Sequence, residues 1–104
     1  NAQNLFEFMA NPEFMGVEWE HIKIGAADSG RNVVGNSHVK DKTGLLRYYF
    51  NTGYTIRESN HSHPSGRSQA SPNDKAAAKI VQEFQSECTF YVYIHPYIYT
   101  RFGK

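Results

Sequence analysis

Ser71-Pro72-Asn73-Asp74 admits few readings other than the start of a helix. Serine is a favoured N-cap, and proline suits the first helical position, where its missing N–H removes no intrahelical bond. Asp74 then falls at the third position, where a carboxylate complements the helix dipole. Apolar residues at helical spacing follow, so a helix is predicted over 73–85 with Ala76, Ala77, Ile80, Val81 and Phe84 as its apolar face. The run Thr89-Phe90-Tyr91-Val92-Tyr93-Ile94 is the clearest strand in the chain. Pro96 interrupts it, and Tyr97 to Phe102 is expected to form a further edge strand.

Upstream signals are weaker but of the same kinds. Leu5 to Met9 suggests a short helix ending before Asn11-Pro12. Met15 to Ile24 reads as a strand with Val17 and Trp19 on one face and Glu18, Glu20, Ile22 and Ile24 on the other. A loop over 25–30 leads to a second strand from Val33 towards Val39, and a polar turn at Lys40-Asp41-Lys42 follows. Leu45 to Phe50 fits a helix, which Gly53 would stop, although its aromatics would suit a strand equally well. Tyr54 to Glu58 is a short strand, and Ser65 to Pro72 is a loop rich in Ser, Gly and Pro. The mixture predicts an α+β fold, a small mixed β-sheet flanked by two or three helices.

Length and composition narrow the chemistry. A chain of 104 residues is one domain's worth. A (β/α)₈ barrel, at roughly 250 residues, is excluded. With 11 basic and 10 acidic side chains, the chain lacks the basic surplus of a typical nucleic-acid binder. One cysteine, Cys88, rules out an intramolecular disulfide and a multi-cysteine zinc site. Five histidines remain, so a bound metal would be held by histidine and carboxylate. No stretch approaches the ~20 apolar residues of a membrane helix, and no signal peptide is evident. The start at Asn1 reads as a piece of a longer polypeptide.

Chemistry concentrates between Asn60 and Asp74. On a strand, His61 and His63 point to the same face and can aim both imidazoles at one point. Asp74, returned by the loop, could supply a third ligand. Two histidines, one carboxylate and water make up an open catalytic zinc site, whereas structural sites are closed by four protein ligands. Such zinc lowers the pKa of its water to about 7. Glu18 and Glu20 are the carboxylates available to move protons. Each feature also has a plain explanation: exposed histidines at a strand end, helix capping by Ser71 and Asp74, and surface glutamates. They become informative in their order and spacing.

An upstream Glu, His61-x-His63-Pro64, seven intervening residues (64 to 70) and Ser71-x-x-Asp74 resemble the JAMM motif of the JAB/MPN metalloprotease superfamily. His61-Ser-His-Pro-Ser-Gly66 is similar to the bacterial branch that includes RadC-like proteins. Glu18-Trp19, Ser37-His38, the His61–Gly66 segment and Ser71 to Lys75 together most resemble the JAB-like toxin domain of bacterial polymorphic toxins. The likeness covers roughly residues 14 to 95. It implies one Zn²⁺ per chain, bound by His61, His63 and Asp74, and a JAB/MPN, cytidine-deaminase-like architecture. It also implies Glu18 as general acid/base, with Glu20 the alternative, and Ser71 as hydrogen-bond donor to the oxyanion. His38 is a candidate cleft residue. The implied activity is a zinc metallopeptidase or isopeptidase acting on a protein or peptide. The implied setting is the C-terminal domain of a longer secreted protein, delivered into a target cell and neutralised by a cognate immunity protein.

Two other classes compete. A metal-dependent nuclease toxin is conceivable, but the near-neutral charge and the lack of a basic run near His61 oppose it. A non-catalytic MPN-like binding module would be expected to have lost ligands, and all three are present. Metallo-β-lactamase-like enzymes need His-x-His-x-Asp-His, and position 65 is Ser; nucleoside deaminases need two cysteines that this chain lacks. His21 and His95 are expected to be structural or exposed, and Cys88 a small buried residue.

Overall fold

The computed structural model describes residues 1–13, 17–25, 30–36 and 44–104. In chain order its elements are α1 (Ala2–Met9), β1 (Trp19–Ile24), β2 (Arg31–Asn36), α2 (Gly44–Asn51), β3 (Ile56–Ser62), α3 (Pro72–Phe84), β4 (Thr89–Ile94) and β5 (Ile98–Phe102). The five strands form one mixed sheet in the order β2-β1-β3-β4-β5, with three helices, so the α+β expectation holds. Among the described residues only β3 and β4 pair in parallel; the other neighbours are antiparallel. A parallel pair cannot be joined by a tight turn, and α3 is the crossover that connects it.

Strand alternation divides the side chains into two cores. Ile22, Ile24, Ile56 and Phe90 pack with Leu46 of α2 and with Ala78 and Val81 of α3. On the opposite face Phe6 and Ala10 meet Tyr93, with Trp19, Val34 and Tyr99 around them. The helices therefore lie on both faces, α1 on one and α2 with α3 on the other. Between Lys23 and Ile24 the β1–β3 register shifts, because Glu58 opposes Lys23 while Ile56 opposes Ile24. This bulge at Arg57 lets Ile56 share the face of Ser59 and His61 despite the odd spacing between them.

Local signals account for most boundaries. Asn1 caps α1, its side chain accepting the Asn4 N–H at 2.8 Å. The segment that fitted helix or strand is helical over Gly44–Asn51, and Gly53 follows it at φ +94°. The first strand begins at Trp19 rather than Met15, and residues 14–16 lie outside the described residues. The turn at 40–42 and the last part of the predicted second strand, with His38, also lie outside them.

The apolar face expected for α3 needs correction. Ala78, Val81 and Gln82 are its buried residues, whereas Ile80 is 45% exposed and Phe84 77% exposed. The physical reason is azimuthal. Asp74 faces the sheet, and residues 77–78 and 81–82 follow it on the same side of a 3.6-residue helix. Ala76, Ile80 and Phe84 are thereby turned away. Gln82 fills its buried position by donating to the Cys88 carbonyl at 2.8 Å and accepting the Lys104 N–H at 3.1 Å.

Candidate metal centre

His61 is the last residue of β3 paired with β1, opposite Glu20, and it lies beside Val92 of β4. His63 follows one residue past the strand, held in line by its N–H donating to the Tyr93 carbonyl at 3.0 Å. Between them Ser62 points the other way and is buried, its Oγ accepting the Trp19 N–H at 2.9 Å. Alternation thus delivers two imidazoles to the face of the sheet covered by α2 and α3, as the sequence predicts.

The loop after Pro64 returns under His63. Gly66, at φ +81°, donates its N–H to the His63 carbonyl at 3.0 Å, in a backbone conformation that side chains disfavour. The turn brings the Arg67 carbonyl 2.7 Å from His63 Nδ1. A carbonyl can only accept, so Nδ1 carries a proton, and in the neutral ring this leaves the Nε2 lone pair for the site. The His61 ring stands edge-on to Phe102, centroids 5.7 Å apart, and to His63 at 4.8 Å.

Asp74 comes from the first turn of α3. Ser71 and Asp74 form a capping box: Asp74 N–H donates to Ser71 Oγ at 3.1 Å, and Ser71 N–H donates to Asp74 Oδ2 at 2.8 Å. The same Oδ2 lies 3.0 Å from His61 Nε2 and 3.3 Å from His63 Nε2. The two Nε2 atoms are 3.1 Å apart. Burial opposes ionisation of Asp74, but the hydrogen bond and charge of His61, with the Ser71 N–H, outweigh it and hold the carboxyl well below the usual range.

These three atoms form a triangle that fits a metal ion. Ligands about 2.0–2.1 Å from a tetrahedral zinc are separated by roughly 3.3 Å, close to the spacing found here. Histidine nitrogen and carboxylate oxygen are both ordinary zinc donors, and His61, His63 and Asp74 form a group able to hold a metal ion.

The two candidate glutamates differ in environment. Glu20 is buried, at 7% exposure, and its carboxylate accepts the Leu45 N–H at 3.1 Å at the start of α2. Burial raises its pKa, a rise increased by the nearby charge of Glu18 and opposed by the Leu45 N–H, the charge of His61 and the Leu46 N–H. Glu18 is half-buried, just before β1, within electrostatic reach of Glu20. His21 is buried on the opposite face, with Nε2 2.8 Å from Asn32 Oδ1, and His95 is exposed.

Sequence reasoning missed the Arg67 carbonyl, the Phe102 ring against His61, and the cap that Glu20 places on α2. The Pro64-Ser65-Gly66 turn signal was available for the first; the other two depend on contacts distant in the chain.

Fold and site together define a small α+β domain of the JAB-like kind, with a histidine–histidine–aspartate group on its mixed sheet. The family model of JAB-like toxin 1 matches residues 1–80, and the chain belongs to that family. Comparison with curated proteins found no match. The family points to a toxin domain and to a hydrolase of the JAMM kind. Among the described residues no helix is long and apolar enough to cross a membrane.

Proposed function

We propose that this domain is a zinc-dependent metallopeptidase or isopeptidase and that it is the effector part of a bacterial polymorphic toxin. The observation that supports this most is the convergence of His61 Nε2, His63 Nε2 and Asp74 Oδ2 within 3.0–3.3 Å of one another. One Zn²⁺ held by these residues would supply acidification of a water molecule and polarisation of an amide carbonyl.

The chain's own groups do the rest. Glu18 is assigned the general acid/base role, taking a proton from the attacking water and passing it to the leaving amine. Glu20 is the alternative, but its carboxylate is already committed to the first turn of α2. Ser71 Oγ accepts the Asp74 N–H, which leaves its O–H hydrogen to donate to the carbonyl oxygen as charge develops there. The Arg67 carbonyl keeps His63 in the tautomer that binds a metal. Delivery as part of a longer secreted protein, a protein or peptide substrate and neutralisation by an immunity protein complete the proposal.

The decisive experiment measures zinc content after dialysis together with hydrolysis of a peptide library. The wild-type protein should retain one zinc and cleave peptides, and Glu18→Gln should keep the zinc and lose cleavage. If Glu18→Gln is active and Glu20→Gln is not, the base is Glu20. A protein that retains no zinc, or that degrades plasmid or tRNA and no peptide, overturns the proposal.

A further inference from the structure

The three donor groups of the metal centre are oriented by different means. The Asp74 carboxylate is fixed by its capping box with Ser71. His63 is fixed by the Arg67 carbonyl at its Nδ1. His61 directs Nε2 to His63 and Asp74, but among the described residues no hydrogen-bonding group meets its Nδ1. An imidazole without such a bond is free to turn about its side-chain torsions. A ligand that must first be ordered binds a metal more weakly, because the lost rotamer freedom is charged to binding.

Phe102 supplies the missing constraint. Its ring stands at 82° to the His61 ring with centroids 5.7 Å apart, the edge-to-face geometry that aromatic pairs favour. Val92 of β4 lies beside His61 on one side and Thr100 of β5 on the other. Phe102 is two residues beyond Thr100 and therefore on the same face. It pairs across the strands with buried Phe90, their rings 5.6 Å apart, and packs against the core beneath α2 and α3.

The end of β5 is itself anchored. Gly103, at φ +79°, turns the chain so that the Lys104 N–H donates to Gln82 Oε1 at 3.1 Å. Gln82 is buried in α3, and its Nε2 donates to the Cys88 carbonyl. Thus α3 carries one ligand, Asp74, at its start. About 12 Å further along, it carries the side chain that holds the strand next to another.

We propose that Phe102 is a positioning residue for the metal centre: its ring fixes the rotamer that points His61 Nε2 at His63 and Asp74, and so sets the affinity for zinc. It acts through His61 and not on the reacting atoms. The assignment rests on the zinc-dependent reading of the domain and adds to it a dependence on the last strand.

The test is a zinc titration of the whole chain against a competing chelator, with Co²⁺ as a spectroscopic probe. Phe102→Leu keeps most of the apolar volume but not the flat ring. Its Kd for zinc should rise about tenfold, the low end for loss of a group that orients a ligand. The intense visible bands of four-coordinate Co²⁺ should weaken in the same variant. Phe102→Tyr keeps the ring and should restore both. Val34→Ala, in the core on the opposite face, should lower the urea midpoint and leave zinc affinity unchanged. Equal zinc affinity in wild type and Phe102→Leu overturns the assignment and leaves the peptidase reading intact. So does a loss of affinity shared by Phe102→Tyr or Val34→Ala. Zinc bound as expected in every variant, but no peptide cleaved by wild type, overturns the peptidase reading alone. A wild-type protein that binds no zinc overturns both.

Discussion

Ser71 and Asp74 hold each other through two reciprocal hydrogen bonds, of 2.8 and 3.1 Å, and the oxygen that receives the Ser71 N–H also faces His61 and His63. Helix capping and ligand placement are thus one arrangement. The cap fixes the carboxylate's rotamer, and the helix start fixes its position over the sheet.

The two functions of that pair separate by mutation. Asp74→Asn retains an oxygen for the Ser71 N–H but removes the charge, so zinc affinity should fall at least tenfold while the fold persists. Ser71→Ala removes the cap and should cost about 1 kcal/mol of stability, within the 0.5–2 typical of such residues. It should still bind zinc. Zinc titration and urea denaturation of both variants check this.

Metal loading should stabilise the domain. A ligand at one hundred times its Kd contributes about 2.7 kcal/mol when it binds only the folded state. For a domain of this size each kcal/mol shifts Tm by about 4–8 °C. Thermal unfolding with Zn²⁺ and with a chelator should therefore differ by roughly ten degrees or more. The difference should vanish in the His61→Ala, His63→Ala double variant.

Glu20 is expected to matter for stability whatever its part in catalysis. Truncating it to alanine leaves the half-buried Leu45 N–H without its acceptor and should cost about 1 kcal/mol. Glu20→Gln keeps an accepting oxygen and should cost less. Urea midpoints of the two variants, compared with wild type, give the answer.

The alkaline limb of stability should be steep. Burial, followed by the charge of Glu58, pushes the Cys88 thiol up to about 12. Burial, the hydrogen bond it donates to Glu7 and the charge of Glu7 raise Tyr99 as well. Groups held neutral by the fold bind their protons more tightly folded than unfolded. Their contribution is complete below the unfolded value, about 8.5 for cysteine, and is lost as pH rises towards the folded one. Urea midpoints should fall between about pH 8.5 and 12, less so in Cys88→Ala. Alkylation of native Cys88 at pH 8 should be slow.

Much of the fold and the ligand set was legible in the linear chain. The strand at Thr89–Ile94 agrees residue for residue, since its aromatic and β-branched run is bounded by clear breaks. The helix opened by Ser71, and the shared face of His61 and His63, follow from caps and alternation, which act within a few residues. The near-neutral charge and the single cysteine limited the chemistry before any contact was known.

What the sequence by itself determined is therefore element type, the spacing of the histidines and the residues available to bind a metal. Only the tertiary structure decided how those elements are turned. Periodicity specifies that α3 has an apolar stripe but not its azimuth, which was settled by Asp74 facing the histidines and left Ile80 and Phe84 outward. Likewise, alternation put Glu18 and Glu20 on one face, but only the approach of α2 buried Glu20 and occupied its carboxylate. The parallel pairing of β3 with β4 and the Arg67 carbonyl behind His63 belong to the same class. Each depends on which distant groups meet, and local preference contains no information about that.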